Sequence, residues 1–412
     1  MAIGTGLRQR VRETFSSLAF PNYRLLFFGR LASNMGRTMR VFARALWVFE
    51  ATGSPLKMGI VVSALSWPML FMPLVGGVVA DRMDRRTLLL WTEGILVVLW
   101  TATSLLITMG LFEWWYFIIT AVASGVVQSF GRPGHQAMIA NVVDKERLAN
   151  AVALDSISQT WPNILGPAVA GALVGSIGTG GLFWLTAAGQ IVTFITLVLI
   201  RWTPQEQKAA REGMGRNALE ALRYLRGEKV VMAMFGLGLF SALFAGSFSF
   251  LLPIFAIDIL HAGKGGLAVL MTTSALGGAV GSAMVLLASN ARRNRGRILI
   301  GMAVVKTVML IVFSQSGLFP LSMVAMFGLG AAQMMFMTIL TMAMQQLAPD
   351  HMRGRIMSLR IVIMGISPIG VLIMGTVAEV RGAVDTVLLG GIIYGLTAII
   401  IFTVVPTLRR FQ

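Results

Sequence analysis

Apolar residues run through this chain in blocks of about twenty, interrupted by glycine, proline or charge. That length matches a helix crossing a bilayer. The blocks predict helices near residues 24–50, 57–80, 88–109, 114–138, 151–177 and 181–201. A second set follows near 230–258, 266–288, 298–316, 320–346, 357–379 and 385–405. Between the sets, residues 202–229 are polar, and the stretch Asn217–Tyr224 reads as a short interfacial helix. The expected fold is an all-α membrane protein of twelve transmembrane helices in two six-helix bundles, residues 1–201 and 230–412, joined by the linker 202–229.

Composition supports the pattern. Of 412 residues, 56% are hydrophobic and 12% charged, with a mean hydropathy of +0.78. A soluble chain carries about twice that share of charge. The net charge of +17 would suggest nucleic acid in a soluble protein, but here its position decides. Basic residues gather in alternate loops: Arg8, Arg10, Arg12 and Arg24; Arg82, Arg85 and Arg86; Lys145 and Arg147. The series continues through the linker (Arg201 to Lys229), Arg292 to Arg297, Arg353 and Arg355, and Arg409 and Arg410. The opposite loops carry Lys57, Lys264 and Arg381. Positive charge marks the cytoplasmic side, so both termini are expected inside and no nucleic-acid partner is implied. Met1 to Phe20 lacks a hydrophobic signal core, so no cleaved leader is expected. Cysteine is absent, which removes disulfides, thiol catalysis and cysteine-based zinc sites.

The halves repeat at an offset of roughly 205–211. Ser63-Ala64-Leu65 matches Ser274-Ala275-Leu276, and Gly166-Pro167 stands opposite Ser367-Pro368. Two like halves around a polar linker are the pattern of a parallel-repeat transporter with its substrate path between them. Three motifs then carry a resemblance: Gly77-Val-Val-Ala-Asp81-Arg82-Met-Asp84-Arg85-Arg86, Phe130-Gly-Arg-Pro133-Gly-His-Gln136-Ala137, and Pro349-Asp350-His-Met-Arg353-Gly354-Arg355-Ile-Met357-Ser358-Leu359. Over essentially its whole length the chain resembles the major facilitator superfamily, in the branch of enterobactin exporters and macrolide-efflux drug:proton antiporters. The resemblance implies a cytoplasmic gate latch at Gly77, Asp81, Arg82, Arg85, Arg353 and Arg355. It also implies a helix-packing motif at Gly166, Pro167 and Gly171, although the outer glycines of the family's antiporter motif are missing.

Ionisable residues at bilayer depth are costly and mark function by default. Arg30, Asn34, Arg37 and Arg44 fall on one face of the first helix, with Arg40 beside them. Facing lipid, such a stripe would be untenable. It suits an anionic headgroup, which guanidinium groups hold through forked, charge-assisted hydrogen bonds. Internal neutralisation by Glu50, Glu93, Asp155 or Asp258 is the plainer alternative, and Arg30 is placed to snorkel. The substrate-binding candidates are Arg37, Arg44, Arg40, Asn34, Gln128 and Gln333, the last two being polar residues in mid-span. Proton coupling needs a group that titrates in one facing state; the candidates are Asp155, Glu93, Asp258 and Glu50. His135, His261 and His351 lie near helix ends, share no metal-ligand spacing and read as interfacial.

These features predict a secondary transporter working by alternating access. The resemblance makes it a proton-coupled exporter of an amphiphilic small molecule, in the bacterial inner membrane and as a monomer among membrane lipids. The cationic first helix points to an anionic or zwitterionic cargo, siderophore- or drug-like. A lipid or lysolipid flippase, or an importer of an organic anion, is the alternative, and a non-transporting sensor a weaker one. No nucleophile elbow, metal pair or nucleotide-binding loop is present, so neither an enzyme nor a cofactor is expected.

Overall fold

The structure, a computed structural model, describes residues 16–71, 84–200, 228–287, 295–347 and 353–410. Every regular element among them is helical. Helix α1 (Pro21–Thr52) is followed by α2 (Pro55–Ala64, continuing as Ser66–Phe71), α3 (Arg85–Thr108) and α4 (Tyr116–Val142). The stretch Leu148–Leu199 forms two helices, α5 (148–177) and α6 (179–199), because Gly178 breaks it at φ 67° and ψ 179°. Only glycine adopts that backbone readily. Then come α7 (from Lys229–Phe240 onward), α8 (Gly263–Leu287), α9 (Arg295–Gln315), α10 (Phe319–Leu347), α11 (Arg353–Arg381) and α12 (Ala383–Val404).

Each expected span thus has a helix, and the boundaries follow local chemistry. Ser54 caps α2, accepting from Lys57 N at 3.3 Å, with Pro55 in the first turn where no N–H is needed. Asp84 caps α3 in the same way, accepting from Thr87 N at 3.0 Å. Eight of the described helices, the α5–α6 stretch counting once, are long and apolar enough to cross a membrane on composition alone. The exceptions have causes. Helix α1 carries its arginines, α2 runs into residues outside the described ones, and in α4 the side chains of several residues after Gly131 lie outside the described ones. The linker and its expected interfacial helix lie outside the described residues.

The chain forms two compact units. The first takes the described residues of Met1–Arg44, Phe71–Glu113 and Ala123–Ala210; the second takes those of Ala45–Leu70, Trp114–Val122 and Arg211–Gln412. In the first unit α1 lies close against α5 and α6. A Cβ on Gly166 would overlap Thr38 Oγ1 and lie 2.8 Å from Thr38 Cβ, and one on Gly36 would stand 3.2 Å from the Thr186 carbonyl oxygen. The second unit has a matching crossing between α7 and α11, where a Cβ on Gly370 would sit 2.7 Å from Leu243 Cα and from Ser247 Oγ. The backbone approach that small residues allow therefore recurs in both units, at positions about one repeat apart.

A candidate anion site in the first unit

A polar cavity of about 590 Å³ opens in the first unit. Its wall is built by α1 (Arg30, Ser33, Asn34, Arg37, Arg40), α3 (Thr92, Glu93, Leu96), α4 (Val127, Gln128, Gly131, His135), α5 (Gln159, Asn163) and α6 (Gln190). The arginines lie along one side of α1, as their spacing predicts. Ten residues of α-helix span about 15 Å, so Arg30 to Arg40 line the cavity over about that length.

Each polar group is held by its neighbours. Pro162 has no N–H, which leaves the Ser158 carbonyl without its helical donor. Asn34 Nδ2 supplies one at 3.0 Å, and Thr38 Oγ1 lies 2.9 Å from the Pro162 carbonyl oxygen. The proline in α5 thereby fixes the amide of α1. Arg37 Nη2 donates to Asn163 Oδ1 at 3.3 Å. Arg30 Nε pairs with Asp155 Oδ1 at 2.8 Å, and Gln159 Nε2 donates to the other carboxylate oxygen at 2.9 Å. Glu93 is buried and takes His135 Nε2 at 2.9 Å as well as the amide of Gln190. When Glu93 is ionised it only accepts, and the imidazole nitrogen is then the donor.

Arg40 is held differently. Its guanidinium lies over the Trp100 ring, 3.9 Å from the centroid, and its Nη1 is buried with no hydrogen-bond partner among the described residues. Stacking of this kind fixes the plane of the group. Arg44 is buried beyond the cavity and is not part of its wall.

The remaining candidates lie elsewhere. Gln333 belongs to the second unit, where it accepts from Lys306 Nζ; Ser241 Oγ is 2.5 Å from the same nitrogen. The Phe336 and Tyr394 rings complete that buried cage at 5.1 and 4.8 Å. Glu50 is exposed and pairs with Lys264 at 2.5 Å, and Asp258 is exposed. Gly77, Asp81 and Arg82 lie outside the described residues, as do the side chains of Arg85, Arg353 and Arg355.

With this geometry in view, the comparison with known proteins is direct. A family model described as transmembrane secretion effector matches residues 12–411. The chain belongs to this family of major facilitator superfamily transporters. A relative described as an MFS-type transporter, YfiS of Bacillus subtilis, is 23% identical over 45% of each chain. The enterobactin exporter EntS of Citrobacter koseri is 25% identical over 64% of this chain and 62% of its own. The chain therefore spans less than two thirds of these two relatives. The multidrug efflux pump Tap of Mycobacterium tuberculosis is 24% identical over 87% of each chain. Among solved structures, the nucleoside transporter NupG superposes with a TM-score of 0.75 at 12% identity, covering 95% of this chain and all of its own. A POT family transporter in complex with 5-aminolevulinic acid gives the same TM-score at 11% identity. At such identities these structures establish the fold alone.

Sequence reasoning placed His135 at an interface, whereas the structure sets it in the cavity wall against Glu93. It also passed over Gln159, Asn163 and Gln190. The first two were open to discovery, because Asp155, Gln159 and Asn163 follow each other at i, i+4 spacing on α5. Gln190 obeys the rule that singled out Gln128, a polar amide in mid-span.

Proposed function

We propose that this transporter exports an amphiphilic small molecule bearing an acidic group, by alternating access and in exchange for protons. The observation carrying this reading is a preformed cavity whose wall carries three arginines, one of them held flat over the Trp100 ring. Arg37 and Arg40 hold the oxyanion, with Asn34, Gln128 and Asn163 as neutral partners. Leu96 and Val127 meet the apolar part. Asp155 and Glu93 are the groups that exchange the proton, each beside a basic partner that can take its charge in turn. The latch residues Gly77, Asp81, Arg82, Arg85, Arg353 and Arg355 keep their gating role on motif alone. The names of EntS and Tap, an exporter and an efflux pump, agree with the outward direction.

The test uses the full-length protein and dansylglycine, a monoanion with an apolar ring system. Arg37→Ala removes a charged hydrogen bond of about 1.5–3 kcal/mol, so dansylglycine affinity should fall about tenfold or more while the melting temperature holds. Unchanged affinity and flux would remove the binding role. In proteoliposomes, an imposed pH gradient should drive dansylglycine uphill, and Glu93→Gln or Asp155→Asn should abolish that drive; indifference to the gradient would end proton coupling.

A further inference from the structure

An apolar groove of about 340 Å³ lies wholly within the second unit, between α9 and α12. Its floor is made by small buried residues, Ala303 on α9 and Gly395 and Ala398 on α12, and its rims by the exposed side chains of Val304, Val308 and Ile399. Beyond Val308 the helices close on each other. A Cβ on Gly395 would lie 2.6 Å from Thr307 Cγ2, and one on Gly391 3.1 Å from Leu310 Cβ. The hydroxyls in the wall make no demand on a ligand, because Thr307 Oγ1 donates to the Ala303 carbonyl at 3.0 Å and Thr403 Oγ1 to the Ile400 carbonyl at 2.8 Å. Along α9 the groove runs from Ile300 to Val308, about 12 Å of helix. One leaflet's hydrocarbon is about 15 Å deep, half of the bilayer core.

The chemistry changes at one end. Arg297 is exposed and precedes Ile300 by one turn, on the helix face that continues through Val304 and Val308. The turn Pro406–Arg410, which follows α12 and carries Arg409 and Arg410, packs against α9. No acidic residue occurs between Asp258 and Asp350 or after Asp385, so neither segment supplies a carboxylate of its own. Among the described residues Arg297 has no ion pair. We propose that this groove binds an anionic phospholipid of the surrounding membrane, with an acyl chain between α9 and α12 and the phosphate at Arg297. The walls offer an acyl chain apolar contact without an unmet polar group, whereas a partner's helix, about 10–12 Å across, would lie over the groove and not in it. At the mouth a guanidinium meets phosphate through charge-assisted hydrogen bonds, and basic pockets between membrane helices are where acidic headgroups bind. The corresponding arginine of the first unit, Arg86 at the start of α3, donates instead to the Val198 carbonyl of α6 at 2.9 Å.

The experiment uses the full-length protein, whose lack of cysteine allows a single bimane label at Val308→Cys. Val98→Cys is the control, exposed on α3 and as far from the start of its helix as Val308 is from the start of α9. Each labelled protein is reconstituted in phosphatidylcholine vesicles with rising fractions of phosphatidylglycerol or phosphatidylcholine whose acyl chains carry a nitroxide, which quenches bimane on contact. At Val308→Cys, half-quenching should need about fivefold less nitroxide phosphatidylglycerol than nitroxide phosphatidylcholine, the ratio that one cation gives at an acidic lipid surface. At Val98→Cys the two lipids should quench alike. Adding Arg297→Gln to Val308→Cys should remove the preference. Equal quenching by both lipids at Val308→Cys overturns the proposal, and so does a preference that survives Arg297→Gln. The same preference at Val98→Cys also overturns it, since phosphatidylglycerol would then be gathering around the basic surface at large. Arg297 is exposed, so its exchange should leave folding intact; if the variant does not fold, the comparison of Val308→Cys with Val98→Cys decides.

Discussion

Arg30 and Asp155 lie 2.8 Å apart with side chains 14% and 11% exposed, so water offers little compensation if either is removed. Breaking such a pair from one side costs about 3–5 kcal/mol, whereas replacing both partners by apolar residues is often neutral. Asp155→Leu should therefore lower the melting temperature of the purified protein strongly. Arg30→Met combined with Asp155→Leu should recover most of the loss. Additive effects in this double-mutant cycle would mean that the pair does not hold α1 to α5. The same scale shows what sequence reading can reach. The arginine face of α1 was legible because helical periodicity gives direction. It does not give the depth at which a cavity ends: Arg44 lies about 6 Å further along the axis than Arg40 and falls outside the wall. Nor does spacing reveal partners on other helices, which is why the engagement of Glu93 by His135 went unread.

At the scale of elements, two glycines in the same long stretch are required for different reasons, and that difference can be measured. Gly178 has nothing within 4 Å of an added Cβ, but its φ is +67°. Gly166 has an ordinary helical backbone but no room beside Thr38. Gly178→Ala should cost about 1–3 kcal/mol through backbone strain alone, and removing neighbouring side chains should not relieve it. Gly166→Ala should destabilise by a similar amount through overpacking, and Thr38→Gly should restore most of it. Thermal melting of the two single variants and the two doubles checks this; rescue of both or of neither would contradict the assignment. Helix positions themselves were largely legible, since twenty-residue apolar blocks leave little choice in a bilayer. The internal form of α7 was not. After Phe240 the winding widens over Ser241–Ala245, tightens over Ser247–Leu251 and widens again over Phe255–Ile259. Ser247 Oγ donates to the Ala242 carbonyl at 2.7 Å, and α11 presses in at Gly370. Tertiary packing sets such departures, and hydrophobic periodicity is blind to it.

On the scale of the whole molecule, the distribution of charge predicts orientation. Two of the three cations in the sparse loops have acidic company: Lys264 pairs with Glu50, and Lys57 lies in the field of Glu379, which accepts from Ser54 Oγ at 2.7 Å and Leu56 N at 3.0 Å. Topology follows the number of Lys and Arg residues in short loops and not their net charge, so these pairings leave the excess on the other side as it stands. Both termini should then be cytoplasmic, with the α7–α8 connection outside. Because the chain has no cysteine, single introduced thiols report side without background. Ala262→Cys, between α7 and α8, should react with a membrane-impermeant maleimide added to intact cells. Glu146→Cys, in the short turn Lys145–Arg147 between α4 and α5, should react only after the membrane is opened. The opposite pair of results would invert the orientation, and with it the direction of the proposed anion export. An outward-facing delivery also fits the energetics, since an inside-negative membrane favours the exit of anions and opposes their entry.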